Sequence, residues 1–388
     1  MRFLFVTENS IKGFGGGSLG GRKYCDAILN YCRENDHEFK VISLDEDMEN
    51  HFPLEIYKNR KIDIQARLEG HSTYMFCVLK NHRKELTAYK PDVVFLGRTR
   101  LGFLAKFFKK NIPGVKIVTF VDNVEWDYVD SYFSNKTGLK GKAEKLLEKS
   151  VVRSDETDAI FYSDKLVYLT RRDWKRMQEL YHYEDKEPTY LPICLPDIQT
   201  LSLQSDKKNI VFIGSLNYAG NILAVEDLVK NIWLPNFAKS SDMHLIIAGS
   251  HPTDYVRQLA SSASNISLIK NFDKVQDIVP MNSLMVAPIS KGAGMKVKVA
   301  ETLSMGLMIA ASDEALVGYE EAIESDKLHG IVRANSTDDY LKAIQIYKDK
   351  TVKELKEISN QNMDIFNQFY GFNRSRETVK SIMGRFAH

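Results

Sequence analysis

Residues 287–306 have the sequence APISKGAGMKVKVAETLSMG. The apolar run that ends at Pro288 predicts a strand, and Gly292 and Gly294 predict a short loop after it. A helix is expected to follow the loop, because Gly306 stands where a glycine commonly ends a helix. Strand, glycine loop and helix together form the repeating unit of a doubly wound α/β domain.

The same stretch has residues suited to binding a phosphate. Glycines let the backbone come close to a ligand, and unpaired N–H groups at a helix start attract a phosphate. Lys298 and Glu301 are three residues apart and therefore share one face of the expected helix. The cation can meet a diphosphate while the carboxylate accepts hydrogen bonds from ribose hydroxyls. A strand–turn–helix with surface charges explains these residues equally well, so spacing alone leaves the choice open.

The rest of the second half alternates apolar runs with helical stretches. Strands are expected at residues 209–214, 243–249, 265–269, 283–288, 307–311 and 330–333. A helix is expected from about Asn221, and the tail, residues 336–388, is helical and charged. This alternation predicts a parallel sheet with helices on both faces.

The first half opens with the same pattern. Residues 1–7 predict a buried strand, the glycine-rich residues 13–21 a loop, and the residues up to about 34 a helix. Further strands are expected at residues 38–43, 91–97, 115–121 and 165–169. Thr170 is expected to cap the next helix, with Asp173 three residues further on. The first half is thus a second doubly wound domain.

A polar segment with several prolines separates the halves near residues 184–208, and we expect the linker there. The expected domains are residues 1–190 and 206–368, with a final helix of about residues 370–388 that packs back on the first domain. Two such domains in tandem, facing each other across a cleft, place the carboxyl ends of two sheets on either side of it. This arrangement suggests an enzyme with two substrates.

Length and composition exclude several classes of protein. A chain of 388 residues fits two domains, and a formal net charge of +2 argues against a protein that binds nucleic acid. The four cysteines form no C-x-x-C pair and no zinc-ligand spacing, which fits a reduced, cytosolic setting. We expect neither a signal peptide nor a membrane span, because no apolar run reaches about 18–20 residues.

The glycine loop at residues 292–294, with Met295, the lysines after it, Glu301 and Gly306, resembles the donor-site signature of family 4 retaining glycosyltransferases, which have the GT-B fold. The likeness extends to residues 212–218, Asn221, 246–249 and 314–319, and in the first half to residues 120–125 and 169–173, which are similar to members that build bacterial polysaccharides. It covers most of the chain and is strongest over residues 209–320. It implies the GT-B fold, with two Rossmann-like domains.

The resemblance also implies a donor site in the second half. Glu301 would bind the ribose, and Lys298 with Lys296 the diphosphate. The implied donor-binding residues are Gly214, Ser215, Asn217, Asn221, Gly292, Gly294, Met295, Lys296, Lys298 and Glu301. The first domain would bind the acceptor, with Gly15, Gly16 and Gly17 lining the acceptor side of the cleft.

Asp122 and Glu125 are candidate catalytic residues. Both follow an expected strand at its carboxyl end, where catalytic groups collect in such sheets. A pair of acids at a helix start, favoured by the helix dipole, explains them without any chemistry.

The chain departs from the family pattern at three positions. Ala293 stands where the family often has an acid that contacts the transferred sugar. Ser215 stands where many members have a basic residue, and Asp122 where a histidine is common. Two alternatives therefore stay open: a catalytically weakened nucleotide-sugar-binding partner of another transferase, and a GT-B nucleotide-sugar epimerase.

The expected function is transfer of a hexose-like sugar from a UDP-sugar or GDP-sugar to a glycan or lipid-linked acceptor with retention, in bacterial polysaccharide or glycoconjugate synthesis. No metal and no further cofactor are expected, because lysines and a helix start can stabilise the leaving diphosphate. The expected location is the cytoplasm, and a peripheral contact with the inner membrane face stays open.

Overall fold

The computed structural model describes residues 1–12, 16–45, 50–52, 59–133, 138–196, 200–270, 272–292 and 294–386. The chain forms two compact units. The first unit consists of Met1–Cys194 with Phe372–His388, and the second unit of Leu195–Gly371. Each unit is built on a six-stranded sheet in which every strand pair is parallel.

The first unit follows the strand–helix alternation expected from its sequence. Its strands are β1 Arg2–Val6, β2 Glu38–Ile42, β3 Val93–Leu96, β4 Lys116–Val121, β5 Lys165–Tyr168 and β6 Thr189–Tyr190, in the order β2-β1-β3-β4-β5-β6. Its helices are α1 Gly16–Glu34, α2 Arg60–Leu68, α3 Met75–Asn81, α4 Arg83–Tyr89, α5 Gly102–Asn111, α6 Glu125–Tyr132, α7 Gly138–Tyr162 and α8 Arg171–Tyr181, with a 3-10 turn at Thr99–Leu101.

The second unit repeats the alternation. Its strands are β7 Lys208–Ile213, β8 Met243–Ala248, β9 Ile266–Ile269, β10 Leu284–Ala287, β11 Met308–Ala311 and β12 Ile331–Arg333, in the order β12-β11-β10-β7-β8-β9. Its helices are α9 Ala219–Asp227, continued by a π-helical stretch Leu228–Trp233 and α10 Leu234–Asn236, then α11 Asp254–Ala260, α12 Val297–Ser304, α13 Glu320–Ser325, α14 Thr337–Asp349 and α15 Val352–Phe369, with a 3-10 turn at Val275–Asp277.

The last helix, α16 Phe372–Phe386, belongs to the first unit and packs on α1. Val379 and Ile382 of α16 join the same buried cluster as Tyr24 and Ile28 of α1. The helix therefore closes one face of the first sheet, although it lies at the far end of the sequence.

Both faces of the first sheet are buried, as a parallel sheet requires. Along β1, Phe3 and Phe5 face the cluster that includes α1 and α16, whereas Leu4 and Val6 face the cluster that includes α3, α4 and α5. Alternate side chains of a strand point to opposite faces, so an all-apolar run serves both clusters. This is why the strands were visible in the sequence as continuous apolar runs.

The predicted strands and helices are confirmed, including the cap of α8, where Asp173 N–H donates to Thr170 Oγ1. The loop expected over residues 13–21 is shorter than predicted, because α1 already begins at Gly16. One strand was missed: β6, which pairs with β5 inside the segment expected to be linker. Two residues close to prolines give no periodic pattern, so only pairing with β5 identifies this strand.

The end of α12 confirms the role expected of Gly306. Its φ of 67° is left-handed, and its N–H donates to the Leu303 carbonyl. The N–H of Leu307 donates to the Thr302 carbonyl, which completes a Schellman motif. Only glycine adopts this φ without strain, so the helix ends here.

Each sheet has one switch point, where the chain stops adding strands on one side of the sheet and continues on the other side. It lies between β1 and β3 in the first sheet and between β7 and β10 in the second. Ligands of open α/β sheets bind outside the carboxyl ends of the strands at such points. A ligand site is therefore expected among the residues after β7 and β10 or among those after β1 and β3.

Among the described helices, none has the length and apolar character needed to cross a membrane.

Candidate functional site

The carboxyl ends of β7 and β10 bring four of the predicted donor residues together. Lys298 Nζ, from α12, donates to Asn221 Oδ1 at 2.9 Å. Asn221 Nδ2 in turn donates to the Ser215 carbonyl at 2.9 Å. A Cβ added to Gly214 would lie 2.7 Å from Asn221 Nδ2 and 3.1 Å from Lys298 Nζ. The lysine and the asparagine thus lie directly over the backbone that follows β7, and only glycine leaves room for them.

Lys298 is a buried cation. It is 9% exposed, and Nζ lies 4.2 Å from the centre of the Phe212 ring. Burial lowers the pKa of Lys298 to about 7, against the opposing effect of the Glu301 charge. No acidic side chain among the described residues forms an ion pair with it. An anion bound here would therefore gain a partner whose charge is poorly compensated in the free protein.

Glu301 lies one turn further along α12. Burial raises the pKa of its carboxyl group, while the charge of Lys298 lowers it. Within the described parts of the chain, no hydrogen-bond donor satisfies this carboxylate. The carboxylate is therefore available to accept hydrogen bonds from a ligand beside Lys298.

Lys296 has different partners from Lys298. Its Nζ donates to the Gly294 carbonyl at 2.9 Å and to Glu314 Oε1 at 3.0 Å. Gly294 has a φ of 61°, which turns the loop into α12, and Met295 beside it is buried. Glu314 was not among the predicted site residues.

The first turn of α12 has no hydrogen bond from the side chain of its N-cap residue, Lys296. Tyr319 OH accepts from the Ala300 N–H at 3.1 Å and donates to the Lys296 carbonyl at 2.8 Å, which fixes the first turn from outside. The Val299 N–H donates to the Lys296 carbonyl, so this helix start offers a phosphate its dipole and its first two N–H groups, those of Val297 and Lys298.

The remaining predicted donor residues lie beside this group. Ser215 Oγ donates to Asn217 Oδ1 at 2.8 Å, and Ser250 Oγ lies 3.5 Å away at the end of β8. Gly292 lies next to Lys296, since an added Cβ would be 3.0 Å from Lys296 Cε. Ala293 lies outside the described residues. The predicted donor residues thus lie in the loops after β7 and β10, in the first turn of α9 (Asn221) and in the first turns of α12.

Asp122 lies at the carboxyl end of β4 in the first unit. Tyr24 OH donates to Asp122 Oδ1, and the Tyr24 ring stacks on Phe120 with the ring centres 3.6 Å apart. The neighbouring Lys23 is buried and donates to the Pro192 carbonyl at 3.0 Å. Burial lowers the pKa of Lys23, and the charge of Asp122 partly opposes that shift. Asp122 is therefore a positioned carboxylate that also balances a buried cation.

Glu125 is placed differently from Asp122. It is 2% exposed, and its carboxylate pairs with Arg100 Nε at 2.9 Å and Arg98 Nε at 3.7 Å. Its own N–H donates to Glu156 Oε1 at 2.9 Å. This carboxylate is engaged by two arginines inside the unit, and the structure does not bring it to Asp122 by any direct contact.

The switch point of the first sheet carries charges that the sequence did not single out. Arg98, after β3, donates to Glu8 Oε1 at 2.7 Å, and Glu8 follows β1. Burial alone would raise the pKa of Glu8, but the Arg98 charge and its hydrogen bonds bring the pKa below its ordinary value. A charged residue two positions after the end of each of two buried strands could have indicated this pair.

The acceptor-side glycines are only partly described. Gly15 lies outside the described residues, while Gly16 and Gly17 form the first turn of α1, which follows β1.

Across the described parts of the chain, no three His, Cys, Asp or Glu side chains lie close enough together to hold a metal ion.

A model of a known protein family matches most of the second unit. Residues 207–348 match the family model Glycosyl transferases group 1. These residues contain β7 to β12 and α12, and therefore the whole group around Lys298. No curated protein matches the sequence.

Solved structures resemble the whole chain. A glycosyltransferase from Rickettsia africae is 15% identical with a TM-score of 0.67, over 98% of this chain and 97% of that one. WaaG, a glycosyltransferase involved in lipopolysaccharide biosynthesis, is 14% identical with a TM-score of 0.67, over 98% and 100%. HepE of Anabaena, solved with UDP and glucose, is 10% identical with a TM-score of 0.63, over 99% and 100%.

At such identities these likenesses show the fold, which is the GT-B fold expected from the sequence. The family match in the second unit and the shared fold together support a glycosyltransferase enzyme.

Proposed function

We propose that the chain transfers a hexose-like sugar from a UDP-sugar or GDP-sugar to a hydroxyl group of a glycan or lipid-linked acceptor, with retention, in bacterial polysaccharide or glycoconjugate synthesis. The observation that carries the donor part is the buried ammonium of Lys298. It lies over Gly214 at the switch point of the second sheet, 2.9 Å from a neutral partner, Asn221.

A nucleoside diphosphate matches this site in charge. Its two phosphates would meet Lys298 and the start of α12, which both favour negative charge. Glu301, one turn further on, would accept hydrogen bonds from the ribose hydroxyls. HepE, whose fold is shared, has also been solved with UDP-glucose, which supports the same class of donor.

In the proposed reaction the bond between the sugar C1 and the phosphate oxygen breaks. The acceptor oxygen forms its bond to C1 on the face that the phosphate leaves, and its proton moves to a phosphate oxygen. Lys298 and the helix dipole would stabilise the charge that develops on the leaving diphosphate. This route needs no protein nucleophile.

The direct test is a thermal-shift screen with UDP, GDP and their sugars. A ligand present at 100 times its dissociation constant stabilises a protein by about 2.7 kcal/mol. We expect one nucleotide family to raise the melting temperature, and a co-crystal to show the nucleotide against the loops after β7 and β10. Nucleotide density only against the first unit, or no shift with any ligand, would contradict the proposal.

Glu301→Gln is expected to weaken nucleoside diphosphate binding about 10-fold or more without unfolding the protein, because charge-assisted hydrogen bonds to the ribose are lost. Titration calorimetry with UDP or GDP measures the loss. Glu357→Gln, an exposed position on α15, is the matched control and should leave the affinity unchanged. Unchanged affinity in Glu301→Gln would make Glu301 a structural residue.

Activity is expected to survive EDTA, because in the proposed reaction Lys298 and α12 supply the positive potential that a metal supplies elsewhere. The measurement is the initial rate with donor and acceptor before and after chelation. Loss of activity that manganese or magnesium restores would count against this mechanism.

We also propose that the first unit makes the peripheral membrane contact that a lipid-linked acceptor requires. Leu139 and Leu146 of α7 are 88% and 70% exposed, one on each side of Lys142. Leu68 of α2, a helix that packs on α7, is 80% exposed. Exposed leucines among lysines fit an anionic bilayer surface. By contrast, α5, whose sequence is also basic and aromatic, has Phe103, Leu104 and Phe108 buried in the core.

Vesicle co-sedimentation tests this contact. Wild type should sediment with vesicles that contain anionic lipid, and the double variant Leu139→Ser/Leu146→Ser should sediment several-fold less. Phe161→Ser, which is exposed near the other end of α7, is the control and should behave as wild type. Wild-type protein that stays in the supernatant would refute the contact.

A further inference from the structure

We propose that Glu314 contacts the transferred sugar of the donor and selects a neutral sugar. The proposal rests on the donor site argued above. Glu314 follows β11, which pairs with β10, so its loop lies beside the loop that precedes α12 at the same edge of the sheet. The glutamate is 22 residues from Gly292 in sequence, and only the sheet brings the two together.

The Glu314 carboxylate lies beside Gly292 and Lys296. Its Oε1 is 3.0 Å from Lys296 Nζ, and a Cβ added to Gly292 would lie 3.9 Å from the same oxygen. The side chains of Glu314 and Lys296 are only 21% and 14% exposed. The carboxylate is therefore a fixed feature of the wall beside Gly292, since it is both half-buried and paired.

Charge determines which part of the donor fits next to Glu314. A diphosphate is repelled by a carboxylate and has its own place at Lys298 and the start of α12. Glu301 is on α12 beside Lys298 and serves the nucleoside side. The sugar is the remaining part of the donor, and its hydroxyls are neutral donors that a carboxylate accepts well.

Lys296 separates the two anions. Its Nζ is the partner of Glu314, and its position just before α12 places it beside the expected diphosphate. The ammonium group of Lys296 would therefore reduce the repulsion between the Glu314 carboxylate and the expected diphosphate. A sugar with its own carboxylate would meet Glu314 as a like charge, so the site should prefer a neutral hexose to a uronic acid.

The test compares each nucleotide with its nucleotide sugar by titration calorimetry. The probes are UDP, UDP-glucose, UDP-galactose and UDP-glucuronate, and GDP with GDP-mannose. In Glu314→Gln, the affinity for the preferred neutral nucleotide sugar should fall about 10-fold. The affinity for the bare nucleotide should change less than about 2-fold, since it lacks the group that Glu314 binds. The preference of wild type for UDP-glucose over UDP-glucuronate should also narrow.

Asp313→Asn is the matched control. Asp313 precedes Glu314 but is 63% exposed and lies toward Arg333, at 3.6 Å, and Asn335. Asp313→Asn should bind every probe as wild type does. Equal melting temperatures of Asp313→Asn and Glu314→Gln would show that a difference in binding does not come from a difference in stability.

The possible results separate this proposal from the donor site itself. Equal losses for nucleotide and nucleotide sugar would mean that Glu314 only holds Lys296, and would overturn the sugar contact alone. An unchanged nucleotide-sugar affinity would overturn it as well. If wild type binds none of the probes, the donor site falls, and the proposal for Glu314 falls with it.

Discussion

Asp122→Ala is expected to lower turnover by about 10²–10³ while nucleotide affinity stays at the wild-type value. The carboxylate lies at the carboxyl end of β4, where catalytic groups collect, and Tyr24 fixes its position. It would accept a hydrogen bond from a reacting hydroxyl in the transition state. The residues proposed to hold the nucleotide belong to the second unit, so donor binding should not change.

Steady-state kinetics with donor and acceptor, and calorimetry with the nucleotide, measure the two effects. Asp122 also balances the buried Lys23, so Asp122→Asn, which keeps an acceptor for Tyr24, is the second variant. Asp127→Asn is the control, because Asp127 lies on α6 and pairs with Arg176 at 2.7 Å. Wild-type turnover in both Asp122 variants would exclude a catalytic role and leave Asp122 as the partner of Tyr24 and the counter-charge of Lys23.

Lys298 should make donor binding depend on pH. In the free protein, burial lowers its pKa to about 7, whereas a bound diphosphate favours the charged form and raises that pKa. Binding therefore takes up a proton, and affinity falls as pH rises above about 7. The free lysine is about nine-tenths protonated at pH 6 and about one-tenth at pH 8, so affinity should drop roughly 10-fold between them.

A nucleotide sugar is the proper probe, because its diphosphate has no titrating terminal oxygen in this range. Lys298→Met should bind the nucleotide sugar about 10- to 100-fold more weakly at pH 6 and lose most of the pH dependence. Lys327→Met, at an exposed position after α13, is the control and should keep the wild-type affinity and the wild-type pH dependence. The titratable groups that influence Lys298 most are Glu301 and Lys296. If the affinity of Lys298→Met still falls as pH rises, the pH dependence belongs to Glu301 or Lys296 and not to Lys298.

The sequence determined the fold class because burial is encoded locally. A largely apolar run such as residues 115–121 is typical of a parallel strand that is covered on both faces. A glycine at position 306 is required because the backbone there has a left-handed φ. The donor loop could also be identified in advance, since its glycines, Lys298 and Glu301 lie close together in the chain. Residues near in sequence are near in space whatever the sheet order is.

Tertiary structure decided what those residues touch. Sequence pattern made both Asp122 and Glu125 candidate catalytic residues, but the fold pairs Glu125 with Arg98 and Arg100, which follow the neighbouring strand of the sheet. It also buries Lys298, whose shifted pKa depends on that burial, and brings Glu314 to Gly292 through the pairing of β10 with β11. Burial and charge compensation are sums over all neighbours in space, and most of these neighbours are distant in the chain. Local pattern therefore predicts where a strand or loop occurs, whereas the ionisation and accessibility of a side chain depend on the folded arrangement.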